Sequence, residues 1–223
     1  MDTEKNKPLI QVNVKIPEIW KPALTRIFNI IGEPLVEGSG ILTDWLKYQR
    51  IKNLVSISEK LNLLDISDDQ IRATQQKLST GQNMKLIEYS SLADDEYLQQ
   101  KWANLIANAV LTTNFHSLYS ELLNSLEPLD AHLLDSMVNN SKPKGLTLSE
   151  IQVLINSPEE QLKISLANMA RLGLVMYGMT AHGGSQVGVI PAKVCSKTKY
   201  FVSDLGIHLK NICEIKIEPC KQK

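Results

Sequence analysis

Aromatic residues make up only 5% of this 223-residue chain. Sandwiches and barrels rely on aromatic and β-branched side chains, so the scarcity favours a helical core of Leu, Ile and Val. Cysteine is scarce too. Cys195, Cys213 and Cys220 are odd in number and show no C-x-x-C spacing. They read as free thiols in a reducing compartment, which excludes a disulfide framework. The histidines His116, His132, His182 and His208 are scattered, and none pairs with a cysteine at zinc-ligand spacing. Neither sign of charge is in excess: Lys plus Arg and Asp plus Glu number 24 each. A protein built chiefly to hold nucleic acid carries a basic surplus. The polar start, residues 1–7, has no apolar h-region and so no secretory signal. Residues 103–120 and 172–192 lack charge, but Asn, Thr and His interrupt the first, and glycines and Pro191 the second. A spanning helix needs about 20 predominantly apolar residues. A cytoplasmic protein is expected.

Catalytic signatures are missing as well. No P-loop, G-x-G-x-x-G, H-E-x-x-H or G-x-S-x-G occurs. Asp94, Asp95 and Glu96 are consecutive, and neighbours on a helix diverge by about 100 degrees, so they do not form an acid pair. The expectation is a protein that is not an enzyme and needs no metal or cofactor.

What is present begins with the run from Glu88 to Ala109. Ser91 with Asp94 fits an N-cap with an acid three residues on. Asp94, Asp95 and Glu96 then fill a first turn, where the helix dipole favours negative charge. Leu98, Trp102, Leu105, Ile106 and Ala109 follow at spacings of three and four and share one face. Ala103, Ala107 and Ala109 permit close helix packing. This is a core helix with a buried Trp.

Upstream, residues 9–14 read as a short strand or loose tail, and Pro17 and Pro22 punctuate the entry to a helix over residues 23–31. Ile41, Trp45, Tyr48, Ile51 and Val55 mark an amphipathic helix. Ser67 with Gln70 fits a capping box, and Gly81 is expected to end the helix that follows over residues 70–80. Trp20, Ile27, Phe28, Ile30 and Ile31, with Lys21 and Arg26 nearby, admit a membrane-surface role, but interfacial helices have far more basic polar faces.

Downstream, residues 128–138 form a helix and 139–145 a linker. Thr147 with Glu150 is a capping box that opens a short helix. Ser157, Pro158, Glu159 and Glu160 read as a second box with Pro at the first helical position. Leu162, Leu166, Met169 and Leu172 form its apolar face, and Gly173 stops it. Residues 174–177, 187–190 and 200–202 read as strands with a turn at His182, Gly183 and Gly184, and residues 204–213 as a last helix. Helix, turn, second helix and hairpin is the order of a winged helix-turn-helix.

DNA readers need Lys or Arg for phosphates and Arg, Asn or Gln for base edges. The expected outer side of residues 158–172 offers Glu159, Glu160, Gln161, Lys163, Ser165, Asn168 and Arg171. That helix is neutral, and its acids sit at the end that usually enters the groove. The wing and tail are more basic, with Lys193, Lys197 and Lys199 among seven Lys against three acids from Pro191 onward. Candidate contact residues, for a partner or for nucleic acid, are Lys163, Asn168, Arg171, Lys193, Lys197 and Lys199. The charge balance weighs toward a protein partner over DNA.

The central run resembles one bacterial family, abortive infection alpha. The likeness rests on Leu92, Trp102-Ala103-Asn104-Leu105-Ile106-Ala107, then Leu122, Ser125-Leu126-Glu127 and Leu129-Asp130-Ala131. Gly32-Glu33-Pro34-Leu35, Tyr48 to Asn53, Gly173-Leu174-Val175 and Val202 to Gly206 extend it. The resemblance implies a setting in phage defence and transfers no catalytic residue.

The expected fold is mostly α. A helical domain, residues 1–116, precedes a winged helix-turn-helix domain with a small β hairpin or sheet, residues 117–215, and a tail, 216–223. The expected function is a non-enzymatic component of abortive infection that binds a phage or host protein, with a homo-oligomer admitted. A DNA-binding regulator and a membrane-directed effector are the alternatives.

Overall fold

The computed structural model describes residues 18–31, 44–64, 78–111, 115–141, 144–179 and 198–214. The expected strands at 9–14 and 187–190, the Ser67–Gln70 box and the turn at 182–184 lie outside them. A 3-10 turn, Glu18–Trp20, leads into α1 (Lys21–Ile31). Then come α2 (Asp44–Asn62), α3 (Thr80–Ser90), α4 (Glu96–Leu111), α5 (Leu118–Asn124) and α6 (Pro128–Asn139). β1 (Leu146–Thr147), α7 (Leu148–Ile155), α8 (Glu159–Arg171), β2 (Val175–Met179), β3 (Thr198–Val202) and α9 (Asp204–Ile212) complete the order. The described residues are mostly helical, with one antiparallel sheet in the order β1-β3-β2. β3 lies in the middle, with Tyr200 opposite Leu146 on one side and Tyr177 on the other.

α4 is the axis of the helical half and packs chiefly on α2. Its apolar face is as expected: Leu98, Trp102, Leu105, Ile106 and Ala109 are all buried. Its start is not. Ser91 ends α3, and its hydroxyl donates to Glu88 O. Asp95 caps α4 instead, accepting from Tyr97 N at 2.9 Å and Leu98 N at 3.0 Å. An acid beside the first turn serves both as acceptor and as dipole partner, which is why it displaces the more distant serine.

Two other boundaries differ from expectation. Gly81 lies in the first turn of α3, between Ser79 and Gln82, which form a reciprocal capping box, and residues 70–77 of the helix expected before it lie outside the described residues. On α2, Val55 is buried and Ile51 packs against the core as expected, Ile41 and the Trp45 side chain lie outside what is described, and Tyr48 is exposed, the buried face taking in Leu54, Ile57, Ser58 and Leu61 instead. The shift comes from polar stitches to neighbours. Ser58 Oγ donates to Ala23 O, Asn53 Nδ2 to Ser91 O and Ser56 Oγ to Gln99 Oε1. Short side chains that reach a neighbouring helix draw their own face inward.

In the C-terminal half, the Thr147–Glu150 box forms as expected and opens α7. The Ser157 box does not. Pro158 itself is the N-cap of α8, which leaves Ser157 a residue too far upstream to reach the first turn. Ser165, expected on the outer side, is buried with Leu162, Leu166 and Met169. Gly173 closes α8 at φ +73°. Leu174 N donates to Met169 O and Gly173 N to Ala170 O, a Schellman closure that a left-handed glycine permits. Ser203 then caps α9, accepting from Gly206 N at 3.1 Å.

Candidate functional site

α8 holds three of the candidate contact residues. Lys163 Nζ lies 2.7 Å from Glu159 and 3.5 Å from Glu160, one helical turn back. The hydrogen bond to Glu159 raises the Lys163 pKa above its usual value. Asn168 Nδ2 donates to Asp130 Oδ2 at 2.7 Å and Ser125 O at 3.0 Å, which ties α8 to the start of α6. Arg171 donates to Asn168 Oδ1 at 2.8 Å. Lys199, on β3, lies 3.7 Å from Glu150 Oε2 of the α7 capping box. Lys193 and Lys197 fall outside the described residues. Each described candidate therefore has a partner within the fold, and the structure brings Asn168 and Arg171 together while Lys199 stands on a different element.

Two aliphatic side chains project from α7 and α8. Val153 of α7 is 83% exposed and Ile164 of α8 is 70% exposed. The buried apolar residues of these helices are Ile151 in α7 and Leu162, Leu166 and Met169 in α8, while Leu154, beside Val153, is also exposed. The sequence reading passed over Val153 and Ile164. Their signal is their place off the apolar stripe, where a helix normally carries charge.

A second cluster, also not anticipated, lies where α4 meets α6 and α9. Lys101 of α4 is buried and ion-paired with Asp135 of α6. The Tyr97 hydroxyl donates to the same carboxylate, and its ring stacks on His132 with centroids 3.6 Å apart. Burial, and then the Asp135 hydrogen bond, raise the Tyr97 pKa above the phenol range. Asn104 Nδ2 donates to Cys213 O at 2.9 Å and Asn108 Nδ2 to Ile212 O at 2.6 Å, so α4 caps the open carbonyls at the end of α9. Lys210 pairs with Glu214 beside them. Burial pushes the Cys213 thiol up to about 12. A small cleft opens here, lined by Lys101, Asp135, Lys210 and Cys213 over a floor of leucines, with room for about one water.

Among the described residues, no three His, Cys, Asp or Glu side chains gather as a metal site. Among them, too, no helix is long and apolar enough to cross a membrane. No curated protein and no solved structure matches the chain. The abortive infection alpha family matches residues 47–213, from the first turn of α2 to the C-cap of α9. With most of its length matched, the chain belongs to the abortive infection alpha family, which points to a role in abortive infection.

Proposed function

We propose that the protein is a non-enzymatic component of phage defence that acts by gripping a protein partner, phage or host, with the outer side of α7 and α8. The C-terminal half serves as a winged helix turned to protein contact. The element order from α6 to β3 and the strand order β1-β3-β2 support that reading, since a winged helix places its first short strand beside its last. The observation that carries the choice of partner is the contrast on α7 and α8. The cations there are engaged with neighbouring acids and amides, while Val153 and Ile164 stand in solvent. DNA phosphates call for free Lys and Arg. A protein interface calls for aliphatic anchors within a polar rim.

The test uses tagged protein recovered from infected and uninfected cells, with and without nuclease. A nuclease-resistant protein partner is expected in infected cells. Val153→Glu and Ile164→Glu should each abolish its recovery, and Glu59→Lys, on the exposed side of α2, should not. Nuclease-sensitive recovery of DNA, with a binding slope of several units in log salt, would overturn the reading. So would recovery of the partner by both glutamate variants.

A further inference from the structure

α9 is held differently at its two ends. Its N-terminus belongs to the sheet. Ser203 N donates to Leu174 O at 2.9 Å, and Ser203 Oγ donates to Gly173 O at 2.6 Å. Gly206 lies directly against the Leu174 carbonyl, and a Cβ there would also sit 2.8 Å from Val202 Cγ1. No side chain fits between them, so this end is packed tightly against the residues that flank and form the sheet. The other end is held to the helical half by side-chain amides, Asn104 on Cys213 O and Asn108 on Ile212 O.

These amides are part of a longer row. Tyr97, Lys101, Asn104 and Asn108 step by four, three and four along α4 and form one stripe. All four make polar contacts with α6 or α9. The apolar part of the same boundary, Leu123, Leu126, Leu134 and Leu209, is buried and borders the small cleft beside Lys101 and Asp135. The opposite face of α4 is Leu98, Trp102, Leu105 and Ile106, closed on the helical half. Exposing that apolar face to water is unfavourable in proportion to its area. Amide and carbonyl groups exchange protein partners for water at small net loss. A seam of the second kind opens before one of the first.

We infer that the C-terminal half, α6 to α9 with the sheet, undocks from the helical half as one unit along the Tyr97–Lys101–Asn104–Asn108 stripe, and that α9 travels with the sheet. The inference does not depend on what α7 and α8 bind. It supplies a means by which an event on that half is felt at α4: the stripe and the last carbonyls of α9 become accessible together.

Cys213 reports on the seam, since its buried thiol reacts only when the boundary opens. The experiment is thiol labelling of the full chain in native buffer with rising urea, with Cys195→Ser and Cys220→Ser to leave one thiol. Two further chains, each also carrying Cys213→Ala, place the thiol at Ile57→Cys in the α1–α2–α4 core or at Leu209→Cys one turn inside α9. Cys213 and Leu209→Cys should label at one shared rate, faster and less steeply dependent on urea than Ile57→Cys. Asn104→Ala with Asn108→Ala should speed labelling at 213 about tenfold and leave position 57 unchanged. Equal rates and slopes at all three positions would mean a single cooperative unit and overturn the inference. Labelling at 213 alone, with position 209 following the core, would mean fraying of the last turn and overturn it equally. If the double asparagine variant does not fold, the comparison of the three positions still decides.

Discussion

Alkaline pH will destabilise this protein through Cys213, and Cys213→Ala will remove most of the effect. The thiol is buried where α9 ends against α4, and burial moves its pKa from the ordinary 9.0 up to about 12. The unfolded chain loses the thiol proton near pH 9, whereas the folded chain keeps it for about three further pH units. Across that window the folded state binds more protons, so stability falls as pH rises, by about 1.4 kcal/mol per unit. The contribution is whole below pH 9. About 2 kcal/mol is gone by pH 10.5 and about 4 kcal/mol by pH 12, against a total stability of about 5–15 kcal/mol for a typical domain. Lys101 nearby opposes the shift in Cys213 as a smaller effect. Tyr97, whose pKa is also raised by burial, loses stability with rising pH in the same sense. The assay is urea unfolding followed by far-ultraviolet circular dichroism at pH 7.5 and 10.5, with reductant present. The native protein should lose about 2 kcal/mol more than Cys213→Ala between the two pH values. An identical loss in both would refute the argument, because the alkaline sensitivity would then come from elsewhere.

Three further outcomes are expected from the same unfolding assay. Asp135→Ala strands the buried Lys101 ammonium and should cost about 3 kcal/mol, whereas Lys101→Met combined with Asp135→Leu should come within about 1 kcal/mol of the native protein. A double variant as unstable as Asp135→Ala would mean that the ion pair itself contributes the stability. Gly206→Ala forces a methyl against the Leu174 carbonyl and should cost about 3 kcal/mol, and a near-native midpoint would show that α9 shifts freely on the sheet. Thr147→Ala removes the α7 cap and should cost about 1 kcal/mol, with no change in the urea slope.

Local chemistry was readable from the sequence wherever the deciding atoms lie within a few residues of each other. The Thr147–Glu150 box, the Gly173 stop and the apolar face from Leu98 to Ala109 are all of that kind. So is the family, whose likeness rests on the same central run. Even at short range, competition between equivalent groups defeats the pattern. Ser91 and Asp95 are both good caps, and the choice falls to Asp95 because its carboxylate stands beside the first turn and reaches the N–H groups of Tyr97 and Leu98, four residues nearer than Ser91. The candidate site was less legible for a different reason. A polar stripe on a helix looks like a solvent face until a third element covers it. Asn104 and Asn108 counted in the sequence as evidence against a membrane span, and Asn104 as part of the family run, yet their partners lie more than a hundred residues downstream. Short β1, only Leu146–Thr147, was likewise hidden, since its existence depends on β3.

That separation along the chain has a consequence during synthesis. Asn104 of α4 bonds to a carbonyl 109 residues later, at Cys213. A ribosome that has delivered the first half has produced a helical block whose Asn104 and Asn108 face water, and they stay so until residues 212 and 213 leave the exit tunnel. β1 waits in the same way for residues 198–202. Translation that stops early therefore yields a product with an open flank and no sheet, readily distinguished by a protease from the finished chain.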